Sequence, residues 1–370
     1  MVALCPDEKN APCDTRAGND ADTCSAELSG KVCENFSEDG ILALLDRHFP
    51  TTHPALKLGR GDDCAVLAEK GPLAVSSDLF LEDVHFRRSY FRPEDIGYKA
   101  LAVNISDLAA CGARPRGFEL CLGLPESITI AWLEAFFSGM AGLARQHAMV
   151  LAGGDLSRSP SLHISLTVWG DSAGHEGFLV RGGSMPGDVL FVVGRLGLAR
   201  VGLHILEERG REALRDWPDA CAAHLRPQPQ VDAGRMLARA GFNARPPALM
   251  DISDGLMQDL PRLLGQTGGL RASGHGVGFG AEIVLARGQL HPEVLRHAAH
   301  YGRDPVRETL LGGEDYALLG SCAPDMLPAL NAAIPGLFSL GVVTDSGSIV
   351  CNNETLDGLR GFDHFAFGRC

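Results

Sequence analysis

One stretch, Ala248-Leu249-Met250-Asp251-Ile252-Ser253-Asp254-Gly255-Leu256, limits what this chain can fold into more than any other. An apolar run ends in Asp251, and Ser253-Asp254-Gly255 opens a helix expected to continue through Leu256, Leu260 and Leu263. Such a strand-to-helix junction sets two carboxylates and a hydroxyl where free backbone N–H groups and the positive end of the helix dipole favour anions. Two readings fit the segment taken alone. Ser253 or Asp254 could N-cap the helix, or the carboxylates could hold a metal ion that bridges a phosphate.

The same arrangement recurs along the chain. Gly59-Arg60-Gly61-Asp62-Asp63 turns into an apolar strand near Val66, and the strand Leu73 to Val75 is expected to end in Ser76-Ser77-Asp78, with His85 soon after. Pro93 suits a first helical turn, and the helix it opens runs through Leu101, Val103, Ile105 and Leu108, with Asn104 and Asp107 on one face. That pair could simply cross the core, but an uncompensated buried carboxylate is costly, which favours a cation beside Asp107. A strand over Phe118 to Leu124 and a helix over Ile130 to Gln146 lead to Met149-Val150-Leu151-Ala152, expected to open into a turn at Gly153-Gly154-Asp155. A glycine turn with an Asp and hydroxyls has the shape of a phosphate and metal cradle, although an ordinary turn also fits. Near the other end, Gly312-Gly313-Glu314-Asp315 sets two acids at the mouth of an apolar strand. Phe362 and Phe365 suit either packing or a lid that stacks on a ring.

Carboxylates gathered in this way repel one another unless cations intervene, and magnesium favours carboxylate oxygen together with phosphate oxygen and water. The pattern of Asp62, Asp63, Asp78, Asp107, Asp155, Asp251, Asp254 and Glu314 therefore predicts several divalent ions bridging a polyphosphate. No GxxxxGK[ST] is present, nor the HRD and DFG set of protein kinases, and Gly274 to Gly280 reads as a loop rather than a dinucleotide fingerprint. A formal charge of −13 argues against general nucleic-acid or anionic-membrane binding. No run approaches the roughly 18 apolar residues of a spanning helix, and the N-terminus lacks the order of a signal peptide, so a cytoplasmic protein is expected. The eleven cysteines form no CxxC pair, and Cys64, Cys111 and Cys121 are expected to be small core residues. At 370 residues the chain suggests two domains. Residues 1–33 read as a disordered extension whose Cys5, Cys13, Cys24 and Cys33 are too irregularly spaced to specify a metal site, and a boundary is expected near residue 172, giving domains 34–172 and 173–370.

Six motifs in order, GRGDDCAVL, SSDLFLEDVHF, YKALAVNISDLAACGARP, GGDLSRS, MDISDGLMQDL and LLGGEDYALL, resemble those of the thiamine-monophosphate kinase family, which is related to aminoimidazole ribonucleotide synthetase. The resemblance covers about residues 34 to 368. It implies an α/β fold of two domains, a homodimer formed through the N-terminal sheet, and an ATP site in the cleft near that interface. By motif it makes Asp63, Ser76, Ser77, Asp78, Asp107, Asp155, Asp251 and Asp254 magnesium ligands. Gly154, Arg181 and Ser253 then contact ATP, and His85, Glu314 and Phe362 contact thiamine monophosphate. The implied reaction is transfer of the γ-phosphoryl group of ATP to thiamine monophosphate, giving thiamine diphosphate. Two departures stand out: Asp83 replaces a small residue beside His85, and Leu156-Ser157 replaces two threonines after GGD. Another ATP-dependent synthetase of the same superfamily, or a non-catalytic nucleotide- or thiamine-phosphate-binding protein, is the alternative.

Overall fold

The computed structural model describes residues 37–175, 177–240, 245–266, 278–356, 359 and 361–362. The extension with its four cysteines, Gly274 and Gly276 of the glycine loop, and Phe365 lie outside them.

The first part of the chain builds helices α1 (Glu38–His48), α2 (Pro93–Ala110) and α3 (Ile130–Gln146) and strands β1 (Leu56–Leu58), β2 (Val66–Leu67), β3 (Leu73–Leu81), β4 (Arg114–Leu124), β5 (Val150–Arg158) and β6 (His163–Asp171). Ser37 caps α1 by accepting from Gly40 N at 3.1 Å, and Thr129 caps α3 by accepting from Trp132 N at 3.1 Å. β3 to β6 form a four-stranded sheet in the order β3-β6-β4-β5, whose one parallel pair, β4 and β5, is joined through α3. Helix α2 lies on this sheet and is buried almost all round, because its Ala, Gly and Leu positions meet α3 on one side and later elements on the other.

The rest of the chain supplies β7 (Val189–Val193), β8 (Ala248–Asp251), β9 (Gly280–Ile283), β10 (Leu318–Cys322), β11 (Leu337–Thr344), β12 (Ile349–Cys351) and β13 (Glu354–Thr355). Among the described residues these form a seven-stranded sheet in the order β13-β12-β9-β11-β7-β10-β8. Around it pack α4 (Leu198–Arg209), α5 (Pro218–Leu225), α6 (Val231–Ala240), α7 (Leu256–Leu263), α8 (Pro292–Tyr301), α9 (Pro305–Leu311) and α10 (Leu327–Ala333). One apolar core runs from α1 to α3 and the first sheet into α4, α5 and α6, while a second fills the other face of the larger sheet. The seam between α2 and α6 is tight: a Cβ on Gly234 would sit 2.0 Å from Ala109 O.

Several sequence expectations need correction. β3 does not end at Val75 but runs on to Leu81, since Ser76, Ser77 and Asp78 all pair in register with β6. Gly153-Gly154-Asp155 is not a turn but the middle of β5, paired with β4. Of the three cysteines expected in the core, Cys64 and Cys121 are exposed and Cys111 is half-buried. Cys121 alternates with buried Leu120 and Leu122 along β4, so the strand period turns it outward.

Candidate active site

The stretch that dominates the sequence proves to be a hub. Gly255, at φ 106, precedes α7, so the helix starts later than the motif suggested. Neither Ser253 nor Asp254 caps it. Instead Asp259, fully buried one turn in, accepts from both Ser253 N and Asp254 N at 3.0 Å, which leaves their side chains clear of capping. Burial and Asp254 push the Asp259 pKa up to about 6. Asp254 itself pairs with Arg262 at 2.7 Å.

Around this hub the carboxylates approach one another from both sheets. Asp107 Oδ2 on α2 accepts from Ser76 Oγ of β3 at 2.5 Å, and Asp251 Oδ2 at the end of β8 accepts from Ser106 Oγ of α2 at 2.8 Å. Burial, and then the Asp107 charge, push Asp78 up to about 6 and Asp251 up to about 8. Asp107 is raised too, chiefly by burial, with Ser76 and Arg181 opposing. The Tyr316 hydroxyl is held well above its ordinary pKa by burial first and then by the charges of Glu314, Asp251, Asp78 and Asp107. A cleft of about 380 Å³ opens beside this group, and its mostly apolar lining includes Ser76, Asp107, Arg181 and Arg262.

Strand alternation divides the remaining candidates. Ser76 and Asp78 are half-buried, whereas Ser77 between them is exposed and meets Thr167 Oγ1 at 2.7 Å. Asp155 is also exposed, lies opposite Cys121, and accepts from Ser157 Oγ at 3.2 Å. Ser77 and Asp155 thus stand on the open face of the first sheet, away from Asp107. Gly154 has φ 147, and a Cβ there would lie 1.8 Å from Leu120 O, so only glycine lets β5 approach β4 at this point. Asp63 is exposed in the loop before β2, where its N–H donates to Asp62 Oδ1 at 2.8 Å. His85 accepts from Leu81 N at 3.0 Å and stacks on Phe80. Asp83 is exposed at φ 64, a left-handed position that Asp tolerates better than most side chains.

The two acids of the Gly-Gly-Glu-Asp motif do different work. Asp315 turns inward and accepts from Gly197 N at 2.6 Å and Ala199 N at 3.2 Å, so it caps α4 from a distance. Glu314, half-buried, meets Lys99 Nζ at 2.9 Å and His224 Nδ1 at 3.0 Å. Its own N–H donates to Ser253 O at 2.7 Å, and Phe362 N donates to Asp254 O at 3.0 Å, so both residues hang on the hub. Phe362 leaves its ring half exposed.

Comparison with known proteins decides the family. Residues 61–171 match the model of the AIR synthase related protein, N-terminal domain. Over 350 residues the chain is 34% identical to the thiamine-monophosphate kinase of Synechococcus elongatus, covering 91% of this chain and 99% of that protein. The chain belongs to the thiamine-monophosphate kinase family. Among solved structures it resembles the thiamine-monophosphate kinase of Stenotrophomonas maltophilia, with a TM-score of 0.70 at 31% identity over 86% of this chain and 97% of that one. It also resembles AaThiL complexed with AMPPCP and TMP, with a TM-score of 0.68 at 27% identity over 90% of this chain and all of that one, 100%. The mixed α/β architecture is that of the family.

In this family member the donor set suits a hard cation in kind: the groups are carboxylate and hydroxyl oxygens, and burial first, then repulsion from Asp107 at Asp78 and Asp251, holds Asp78, Asp107 and Asp251 above the usual carboxylate range. Among the described residues, no three His, Cys, Asp or Glu side chains yet stand close enough to hold a metal ion. Sequence reading missed Ser106, Asp259, Arg262, Lys99 and His224. Ser106 and Lys99 lie inside a quoted motif and could have been noticed as polar groups on a helix with no polar face. His224 carries no local signal, because only the tertiary fold brings α5 to Glu314.

Proposed function

We propose that this chain transfers the γ-phosphoryl group of ATP to the phosphate of thiamine monophosphate, giving thiamine diphosphate and ADP, the last step in making that compound. The observation that carries the reading is the cleft whose lining brings together Ser76, Asp107, Arg181 and Arg262, mixed charges that suit a metal-bound polyphosphate. The acceptor is already an anionic oxygen, so no side chain need remove a proton, and in-line positioning dominates.

Magnesium ions would be held by Asp63, Ser76, Ser77, Asp78, Asp107, Asp155, Asp251 and Asp254. When bound they supply the positive charge that lets two phosphate groups approach. Gly154, Arg181 and Ser253 contact ATP, and the Arg181 guanidinium favours its phosphates. His85 and Glu314 hydrogen-bond thiamine monophosphate while Phe362 covers its ring. We divide the chain near residue 172 into an ATP-binding and dimerising domain, 34–172, and a C-terminal domain, 173–370. The homodimer interface is assigned to the open face of the first sheet, where Val75 and Leu79 are 64% and 62% exposed. With Ser77 and Asp155 on that face, the site would lie at the interface. No described helix is long and apolar enough to cross a membrane, and we assign the protein to the cytoplasm.

The test is to mix protein, ATP, magnesium and thiamine monophosphate and to measure both products. Thiamine diphosphate and ADP in equal amounts are expected. ADP without thiamine diphosphate would point to another synthetase of the superfamily, and no ADP at all to a binding protein.

A further inference from the structure

Lys99 is wholly buried near the start of α2, with its ammonium over the Phe91 ring at 5.3 Å and 2.9 Å from Glu314 Oε1. His224, 2% exposed on α5, packs edge-on against the same Phe91 ring and reaches Glu314 Oε2 at 3.0 Å. Lys99 of α2 thus hydrogen-bonds one oxygen of the carboxylate, while His224 of α5 lies against the other oxygen without hydrogen-bond geometry. The carboxylate's side chain remains 24% exposed, beside the Ser253-Asp254 hub. Glu314 also adopts a left-handed φ of 63, an unfavourable conformation for Glu that persists only where surrounding contacts fix it.

We propose that Lys99 and His224 are positioning residues that fix the Glu314 carboxylate as a hydrogen-bond acceptor for an N–H donor, such as an amino group, on the heteroaromatic part of the phosphate acceptor. This rests on the reading that Glu314 contacts thiamine monophosphate. A carboxylate offers only lone pairs, so a group locked in that form selects a donor and rejects an acceptor at the same place. Burial works to raise the Glu314 pKa, but Lys99 and then His224 outweigh it and hold the carboxyl well below the usual range. The other groups facing this trio are Asp315, the Tyr90 and Tyr316 hydroxyls, and Arg87 toward His224. None of them supplies Glu314 with a cation in place of Lys99. A buried ammonium is costly to maintain, and a merely structural pair would not need its carboxylate partner partly exposed.

The test compares Lys99→Met, His224→Gln and Glu314→Gln with the wild type in the steady state across pH. Lys99→Met is expected to raise KM for thiamine monophosphate about tenfold while KM for ATP stays within about twofold. It should also add an acid limb to the pH profile of kcat/KM for thiamine monophosphate, because the half-buried carboxyl then protonates as pH falls. His224→Gln should move the same quantities in the same direction by less, and it carries the test should Lys99→Met not fold. Parallel changes in both KM values, or a pH profile unchanged in the folded variants, would overturn the positioning role. Glu314→Gln separates the two ideas: if it leaves KM for thiamine monophosphate unchanged, the assignment of Glu314 to the substrate is what fails.

Discussion

Ser106 donates to Asp251 at 2.8 Å, tying α2, which lies on the first sheet, to strand β8 of the second. Its neighbour Asp107 takes its own hydroxyl from Ser76 of β3. Consecutive residues of one helix thus bond to different sheets, Ser106 to β8 and Asp107 to β3. Ser106→Ala should leave the buried Asp251 carboxyl without its donor and cost about 1 to 3 kcal/mol of stability, read from the urea midpoint at constant m-value.

Removing an acid that we assign to magnesium should affect chemistry more than folding. Asp107→Ala and Asp254→Ala are each expected to lower kcat at least about a hundredfold at saturating magnesium. The melting temperature should stay close to that of the wild type, since Asp107 is a carboxylate made unfavourable chiefly by burial. Turnover like the wild type's in either variant would remove that residue from the site.

Gly154→Ala places a methyl against the Leu120 carbonyl at a φ that alanine avoids. We expect a loss on the order of 3 kcal/mol, measured by thermal or urea unfolding, because backbone rather than a flexible side chain must give way. Activity should fall with it, as the shift passes directly to Asp155.

Asp315 gives a pH signature separate from the metal site. Burial pushes its pKa up to about 7 against the N–H groups of Gly197 and Ala199, from an unfolded value of 3.8. Between those pH values the folded chain keeps a proton that the unfolded chain has released, so this residue makes stability fall as pH rises, by at most about 1.4 kcal/mol per pH unit. Asp315→Asn should flatten that part of the stability curve between pH 4 and 7, as followed by urea unfolding at several pH values.

Periodicity made much of the fold legible: α3 was read at its observed bounds, Ile130–Gln146, and the strand read over Phe118 to Leu124 is the latter part of β4. Composition and spacing also picked out Asp107, Asp251 and Asp254. The errors have a common physical source. Glycine and polar residues were read as breaks at Ser76-Ser77-Asp78 and Gly153-Gly154-Asp155, yet both runs stay in strands because cross-strand pairing overrides local preference. Ser253 or Asp254 as the cap was equally reasonable locally, but Asp259 reaches back from the first turn of α7 to take their N–H groups. The Lys99 and His224 contacts with Glu314 could not be read from spacing, since 215 residues separate Lys99 from its partner.

The seam between α2 and α6 has a consequence for how the cleft works. With Gly234 pressed on the Ala109 carbonyl and one apolar core continuous across both sheets, the halves cannot swing apart as independent lobes without tearing that core. Nucleotide and product would then pass by local adjustment of side chains such as Arg262, which lines the cleft, rather than by separation of the frame that holds Lys99, Ser106 and Asp107. The small residues that let α2 nest against its neighbours thus decide how rigidly the cleft is framed, as much as the acids we assign to its metal ions.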